Sequence, residues 1–229
     1  MSKKLFGTDG IRGIANIKLT PELALSLGAA AGAWIVKEGL PLKAVVGRDT
    51  RKSGTMLGAA LAAGLNSAGI DVTTLAVAPT GAISWVARNQ GFSLAVVISA
   101  SHNPAPDNGI KLISSTGSKV ADADEAWIES QMGQLFERPT GSSVGQIIAD
   151  RSGLDAYMNW LETLVPERLV GLTIAVDAAN GAACELGPEI FRRLGARVIS
   201  TGTAPDGMNI NEQGGATKPE TVQKLTEDS

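Results

Sequence analysis

The chain has 229 residues, with 20 lysines and arginines against 23 aspartates and glutamates and a formal net charge of −3. This balance gives no general positive field, so it argues against nucleic acid or an anionic membrane surface as the partner. The single cysteine, Cys184, excludes an internal disulfide and a cysteine-based zinc site, and it favours a cytoplasmic protein. The longest apolar stretch, residues 23–36, is shorter than the roughly 18 residues that a bilayer-spanning helix needs.

The apolar pattern of the first part of the chain predicts alternating helices and strands. Thr20 can cap a first helix that Gly39 ends, and the continuous apolar run 94–98 is typical of a strand inside a sheet that is covered on both faces. This alternation predicts an α/β fold. Helices are predicted at 21–38, 53–68, 82–90 and 122–136, and strands at 43–46, 72–77, 94–98 and 110–113.

A second series of elements follows residues 138–145, which are rich in proline, threonine, glycine and serine. We interpret that segment as a surface connection, and we divide the chain into a first domain, 1–145, and a partial second domain, 146–229. Helices are predicted at 153–165, 182–194 and 217–227, strands at 172–176 and 196–200, and a turn at 177–181. Because the last helix of this βαβ series is not followed by a further strand, we expect the chain to be the N-terminal portion of a longer protein. The alternative is a complete chain whose terminal helix packs against the domain.

Two glycine-containing segments could bind an anion. Residues 7–13 place three glycines around Asp9 and Arg12, and such a backbone presents N–H groups and a guanidinium that suit phosphate oxygens. The alternative is a glycine turn in which Arg12 is paired with Asp9. Residues 47–51 lie between a strand and a helix, where open α/β sheets place ligand-binding loops. There, too, a structural role is open, and we favour an ion pair between Asp49 and one of the two arginines.

The segment 99–104 is the most distinctive part of the sequence. It follows the buried strand and contains two serines, an amide and the single histidine of the chain. An Asn-Gly turn is predicted within residues 107–111, and it would fold Lys111 back toward the serines. Three interpretations compete. A hydrolase serine with His102 as base fits poorly because no Gly-x-Ser-x-Gly pattern is present; the others are a loop bonded to itself and a serine that carries a phosphoryl group.

In their order and spacing, segments 7–13, 47–51, 99–104 and 107–111 together resemble the α-D-phosphohexomutase superfamily. The Phe-Gly-Thr-Asp-Gly-Ile-Arg-Gly and Ile-Ser-Ala-Ser-His-Asn-Pro segments are most similar to those of bacterial members that act on glucosamine phosphates. The similarity covers essentially the whole chain. The fold that it implies is a three-layer α/β/α domain with a mixed sheet, followed by a partial second domain of the same type.

The resemblance implies an isomerase that interconverts glucosamine 6-phosphate and glucosamine 1-phosphate for the synthesis of UDP-N-acetylglucosamine and peptidoglycan. By matching position, Ser101 is the phosphoserine, Lys111 transfers the proton, Arg12 steadies the phosphoryl group and His102 lines the site. The residues that the resemblance assigns to phosphate or substrate binding are Thr8, Gly10, Arg12, Asn103 and Arg48. Phosphomannomutase or phosphoglucomutase activity is one alternative, because Gly81, Ala216 and Lys218 depart from the family pattern. The other is a noncatalytic phosphate-binding or interaction module that kept the serine loop and lost the catalytic remainder.

The resemblance also implies Mg²⁺, held by the phosphate on Ser101 and by aspartates of an Asp-Gly-Asp-Gly-Asp-Arg loop that this sequence lacks. Asp122 and Asp124 are interpreted instead as acidic residues at a helix start. Glucosamine 1,6-bisphosphate is the implied intermediate and activator, and a hexosamine phosphate is the implied partner, without nucleic acid or membrane. The resemblance is compatible with a homodimer. The 229-residue chain by itself is expected to be inactive.

Overall fold

A six-stranded mixed sheet forms the centre of the first domain in this computed structural model, which describes residues 5–227. Its strands are β1 (Ile11–Ile14), β2 (Lys43–Arg48), β3 (Asp71–Val77), β4 (Leu94–Ile98), β5 (Asp107–Ser114) and β6 (Ile147–Ala149). They lie in the order β1-β5-β4-β2-β3-β6. Strands β4, β2, β3 and β6 pair in parallel, whereas β5 is antiparallel to both β4 and β1.

Helices cover both faces of this sheet. The first-domain helices and the one that follows them are α1 (Pro21–Lys37), α2 (Ser53–Ser67), α3 (Thr80–Asn89), α4 (Asp122–Gln131) and α5 (Ser152–Thr163). Neighbouring strand residues point to opposite faces. Val46 belongs to the apolar core under α1, α2 and α4, whereas Val45 belongs to a second core under α3 that also includes Leu154 of α5. The three-layer α/β/α fold with a mixed sheet is thus confirmed.

The second part of the chain repeats this arrangement on a smaller scale. Strands β7 (Thr173–Asp177) and β8 (Arg197–Thr201) pair in parallel, and helices α6 (Leu186–Arg193) and α7 (Glu220–Glu227) accompany them. A βαβ unit with parallel strands is the repeating element of the first domain as well. Among the residues from 5 to 227, no helix combines the length and the apolar character that crossing a membrane requires.

Several predicted boundaries were wrong. The Asn108-Gly109 turn does not exist: both residues lie inside β5, where Asn108 is completely buried and its amide donates to Ser53 Oγ at 2.9 Å. The predicted extension of the fourth helix to residue 136 fails because the chain leaves the helix at Gln131 and Gly133 has a φ of +78°. The helices expected from 182 and 217 begin only at Leu186 and Glu220, after turns.

Two short strands were not predicted. The glycine-containing segment after residue 10 is not only a turn, since Ile11–Ile14 pair with β5. Strand β6 lies beyond residue 145, where we placed the start of the second domain, yet it pairs with β3 as the edge of the first sheet. Its three residues, Ile147, Ile148 and Ala149, are all exposed, and this short apolar run shows no alternation that would mark a strand in the sequence.

Glycines allow α1 and α2 to pack at very short distance, and this gives a prediction about stability. A Cβ at Gly64 would lie 2.2 Å from the carbonyl oxygen of Leu25, which is backbone and cannot move aside. Gly64→Ala should therefore lower the free energy of unfolding by about 1–3 kcal/mol. Gly58→Ala, in the same helix, is the matched control: its Cβ would meet only the tip of Ile98 at 3.3 Å.

Because alanine is favoured over glycine by about 1 kcal/mol in a helix interior, we expect Gly58→Ala to be neutral or stabilising. Urea unfolding of the two variants and the parent measures the difference. Equal effects of the two substitutions would contradict the packing argument.

Candidate active site

The serine-containing loop, residues 99–106, connects β4 to β5 at the carboxyl end of β4. Backbone hydrogen bonds fix its start: the Ser99 N–H donates to the carbonyl of Gly109 at 2.9 Å, and the Asp49 N–H donates to the carbonyl of Ile98 at 3.0 Å. Arg12 of β1 lies in register with Gly109. The ends of three strands thus bring the segments around residues 12, 49 and 99 to one edge of the sheet.

Ser101 is exposed to solvent, and its backbone has a φ of +55°, in the left-handed region. A residue with a Cβ reaches this region at a cost of about 1 kcal/mol or more, so the surrounding structure must hold it there. The Ser101 N–H donates to Ser99 Oγ at 3.0 Å, and that hydroxyl in turn donates to Asp49 Oδ2 at 2.6 Å. A buried carboxylate therefore orients the backbone of the predicted phosphoserine through one intervening side chain.

Arg51 anchors the other side of the same loop. Its side chain is fully buried and its Nε lies 2.9 Å from Asp49 Oδ2, which confirms the predicted ion pair of Asp49 with one of the two arginines. The guanidinium donates to the carbonyls of Ser101 at 3.0 Å and of Asn103 at 2.8 Å, and also to that of Pro104. Sequence reasoning missed this role of Arg51; the one available signal was the position of the Asp-Thr-Arg segment beside a buried strand.

Arg12 and Lys111 are held near each other by Asp9. Arg12 Nη2 lies 3.2 Å from Asp9 Oδ2, and Lys111 Nζ lies 3.4 Å from Asp9 Oδ1. The alternative proposed for the first glycine segment, an ion pair between Arg12 and Asp9, is thus present. All three side chains are partly exposed, so this group is open to an anion. Within residues 5–227, Arg12 Nε is also among the few buried side-chain atoms without a hydrogen-bond partner.

The glycine segment shapes the backbone beside these cations. Gly10 has a φ of +83°, and a Cβ there would lie 2.3 Å from the carbonyl oxygen of Ile110. Glycine is therefore required for the segment to lie against β5. Thr8 is exposed at the tip of this turn.

The remaining predicted residues have different surroundings. His102 is exposed on the serine-containing loop. Asn103 braces that loop, because its Nδ2 donates to Asp107 Oδ2 at 2.9 Å. Arg48 Nη1 donates to the carbonyl of Asp49 at 3.0 Å, and the side chain lines an apolar cavity of about 300 Å³ beside α2. Burial lowers the pKa of Arg48, and the nearby charge of Asp49 opposes this effect.

The second part of the chain contacts this site directly. Asn211 Nδ2 donates to the carbonyls of Ser101 at 2.9 Å and Asn103 at 3.0 Å. The Lys52 N–H donates to the carbonyl of Gly207 at 2.9 Å. Sequence reasoning did not single out Asn211, although the similarity covers essentially the whole chain.

A metal centre is not formed by the residues from 5 to 227, which include no group of three or more histidine, cysteine, aspartate or glutamate side chains suited to a cation. Asp122 is 2.7 Å from Lys119 Nζ, and Asp124 accepts from the indole of Trp34 at 3.2 Å. Both acidic residues lie in the first turn of α4, as interpreted from the sequence. The carboxylates of residues 5–227 therefore do not fit Mg²⁺ by themselves.

Comparison with known proteins identifies the family. The family model described as "Phosphoglucomutase/phosphomannomutase, alpha/beta/alpha domain I" matches residues 3–138. The phosphoglucosamine mutase of Alkaliphilus metalliredigens is 45% identical over 229 residues, which cover 99% of this chain and 51% of that protein. The phosphoglucosamine mutase of Rhodococcus opacus is 47% identical over 225 residues, or 96% of this chain and 51% of that protein.

Solved structures agree with these sequence matches. A phosphoglucomutase/phosphomannomutase family protein from Burkholderia thailandensis has a TM-score of 0.84 at 27% identity, covering 100% of this chain and 50% of its own. Parafusin, a phosphoglucomutase from Paramecium, has a TM-score of 0.71 at 16% identity over 96% of this chain and 47% of its own, a likeness of fold alone. The chain thus spans about half the length of the relatives it matches. Since the family model matches more than half of its residues, the chain belongs to the phosphoglucomutase/phosphomannomutase family.

Proposed function

We propose that this chain carries the phosphoserine of a phosphoglucosamine mutase, which interconverts glucosamine 6-phosphate and glucosamine 1-phosphate. The observation that carries the proposal is the solvent-exposed Ser101, held in a left-handed conformation on a loop that is bonded to Asp49, Arg51 and Asn211. Phosphoglucosamine mutase is also the name of the relatives that are 45–47% identical to almost the whole chain.

The reaction consists of two phosphoryl transfers through Ser101. In the first, the bond between Ser101 Oγ and phosphorus breaks, and a bond forms between phosphorus and the free hydroxyl oxygen of the sugar phosphate. The hydroxyl proton ends on Ser101 Oγ, and we assign its relay to Lys111. The product is a 1,6-bisphosphate. In the second transfer, the bond between phosphorus and the oxygen at the other end of the turned sugar breaks, and phosphorus binds Ser101 Oγ. The Ser101 hydroxyl proton passes to that sugar oxygen, and the phosphoserine is restored.

Electrostatics explains why cations lie beside the loop. A phosphoserine carries about −1.5 to −2 charges at neutral pH, and a sugar phosphate brings a similar charge. Two dianions about 8 Å apart repel each other by roughly 8 kcal/mol at an effective dielectric constant near 20. Arg12 and Lys111 offset part of this repulsion, and both have Asp9 as a partner that the incoming phosphate can replace.

The full-length gene product should convert glucosamine 6-phosphate to glucosamine 1-phosphate when it is primed with a hexose 1,6-bisphosphate. A coupled assay that forms UDP-linked sugar from the 1-phosphate measures the rate. Mannose 6-phosphate and glucose 6-phosphate, tested in parallel, decide among the mutases of the family. If none of the three sugar phosphates is converted, the result supports a noncatalytic phosphate-binding module.

The 229-residue chain alone is expected to show no turnover in that assay, because its described residues include no metal-binding group of carboxylates. The full-length gene product, at equal concentration and with the same Mg²⁺, is the reference. Robust conversion by the 229-residue chain would show that residues 1–229 suffice for the reaction.

A further inference from the structure

Two side chains from different parts of the chain bind the same pair of backbone oxygens on the serine-containing loop. Arg51 Nη2 donates to the carbonyls of Ser101 and Asn103 at 3.0 and 2.8 Å, from the interior of the first domain. Asn211 Nδ2 donates to the same two carbonyls at 2.9 and 3.0 Å, from the second part of the chain. Each carbonyl has two lone pairs, so both donors can be accepted at once.

The position of Asn211 is itself fixed within the second part of the chain. Its N–H donates to the carbonyl of Ala179 at 2.9 Å, and its own backbone is left-handed, with a φ of +58°. The carbonyl of the adjacent Asn180 accepts from the hydroxyl of Thr50, which precedes Arg51. The backbone segments that hold the two donors, at Thr50 beside Arg51 and at Asn180 beside Ala179, are therefore hydrogen-bonded to each other.

We infer that Asn211 is a positioning residue for the nucleophile: its amide holds the Ser101 and Asn103 carbonyls against Arg51 and thereby keeps Ser101 in its left-handed conformation. The inference rests on the proposed function, because it assigns to the second part of the chain a share in aiming the phosphoserine. Displacement of a reacting group by about 1 Å can lower a rate by about a hundredfold, and the amide of Asn211 acts on the residue that bears the reacting oxygen.

The contacts of the Asn211 side chain separate this role from a general contribution to the fold. The Asn211 side chain touches the carbonyls of the loop, whereas the junction between the two parts of the chain is also held by the Thr50–Asn180 and Lys52–Gly207 hydrogen bonds. Removal of the amide should thus leave the junction in place and release the loop. Phosphoryl transfer should slow while binding of the sugar phosphate changes little.

Asn211→Gly is the informative variant, because glycine keeps the left-handed backbone and removes the amide alone. Asn66→Ala is the matched control: Asn66 Nδ2 also donates to two backbone carbonyls, those of Ile70 at 2.8 Å and Gln146 at 3.1 Å, at the other edge of the sheet. Asn211→Asp is a second variant, in which an anionic acceptor replaces the donor and faces the two carbonyls.

Two measurements on the full-length gene product test whether Asn211 positions Ser101. The first is hydrogen exchange of the backbone amides of residues 99–105, which does not depend on activity. We expect at least about tenfold faster exchange there in Asn211→Gly and no change in Asn66→Ala. The second is the single-turnover rate of Ser101 phosphorylation by glucose 1,6-bisphosphate, with steady-state kcat and KM. We expect kcat to fall by about tenfold or more, with KM within about twofold of the parent.

The outcomes separate the two proposals. Unchanged exchange at 99–105 in both variants at Asn211 would overturn the positioning role, whatever the activity. A rate loss in Asn211→Gly no larger than in Asn66→Ala, at equal thermal stability, would overturn it as well. If the parent protein is not phosphorylated and does not turn over, the proposed mutase function fails, and the exchange experiment still decides whether Asn211 holds the loop.

Discussion

Ser101→Ala should abolish phosphorylation of the protein by a hexose 1,6-bisphosphate and lower mutase turnover by several orders of magnitude. The hydroxyl oxygen is the atom to which the phosphoryl group is bound between the two transfers, and alanine offers no replacement. Intact-mass measurement after incubation with glucose 1,6-bisphosphate detects the added phosphate directly. Because Ser101 is exposed and its hydrogen bonds with Arg51, Ser99 and Asn211 are made by its backbone, the substitution should leave the fold intact.

The control for this experiment is Ser115→Ala. Ser115 is also an exposed serine, in the turn that follows β5. The Ser115→Ala variant should be phosphorylated in the same way as the parent protein, with one added phosphate. Retention of the added mass in Ser101→Ala would assign the phosphate to another residue and reject Ser101 as the nucleophile.

The sequence was sufficient to predict the elements that have a regular apolar pattern. The continuous run in β4 has all five residues buried, and its prediction as an inner strand was correct. The first helix was predicted from its N-cap, and Thr20 Oγ1 does accept from the Leu23 N–H at 3.2 Å. In both cases a local pattern reports directly on the local structure, so no knowledge of distant residues is needed.

The parts that could not be predicted depend on pairing across long distances in the sequence. Asn108-Gly109 has the local preference of a turn, but its side chain and backbone are engaged by Ser53 and by β1, which lie far away in the chain. The three residues of β6 are exposed, and only the open edge of β3 makes them a strand. Tertiary context overrides local preference at Asn108-Gly109, and it decides the pairing of β6.

The candidate site also contains some residues whose roles could be predicted from the sequence and others whose roles could not. The serine-containing loop, Arg12 and Lys111 were singled out because their residue types carry chemistry. The roles of Arg51 and Asn211 in holding the loop were missed because their donors are matched to carbonyl oxygens, and a carbonyl is present at every position of every sequence. Motif reading therefore identifies reacting groups more readily than it identifies their supports.

Arg51→Met should be the most destabilising single substitution near the site, lowering the free energy of unfolding by about 3–5 kcal/mol. Arg51 and Asp49 are 0% and 2% exposed, so removal of the guanidinium leaves a carboxylate buried without its counter-charge. The carbonyls of three loop residues lose a donor at the same time. Urea unfolding followed by circular dichroism measures the loss against the parent chain.

Arg193→Met is the matched control for burial. Arg193 pairs with Glu162 and Glu189 at 3.4 Å, but its side chain is about one-third exposed, and exposed ion pairs contribute about 1 kcal/mol or less. The double variant Asp49→Asn with Arg51→Met removes the buried charge together with its partner. Its cost should be smaller than the sum of the two single costs, since neighbouring members of one network are not additive. A simple sum, or a loss in Arg51→Met no greater than in Arg193→Met, would show that the buried pair does not hold this loop as a unit.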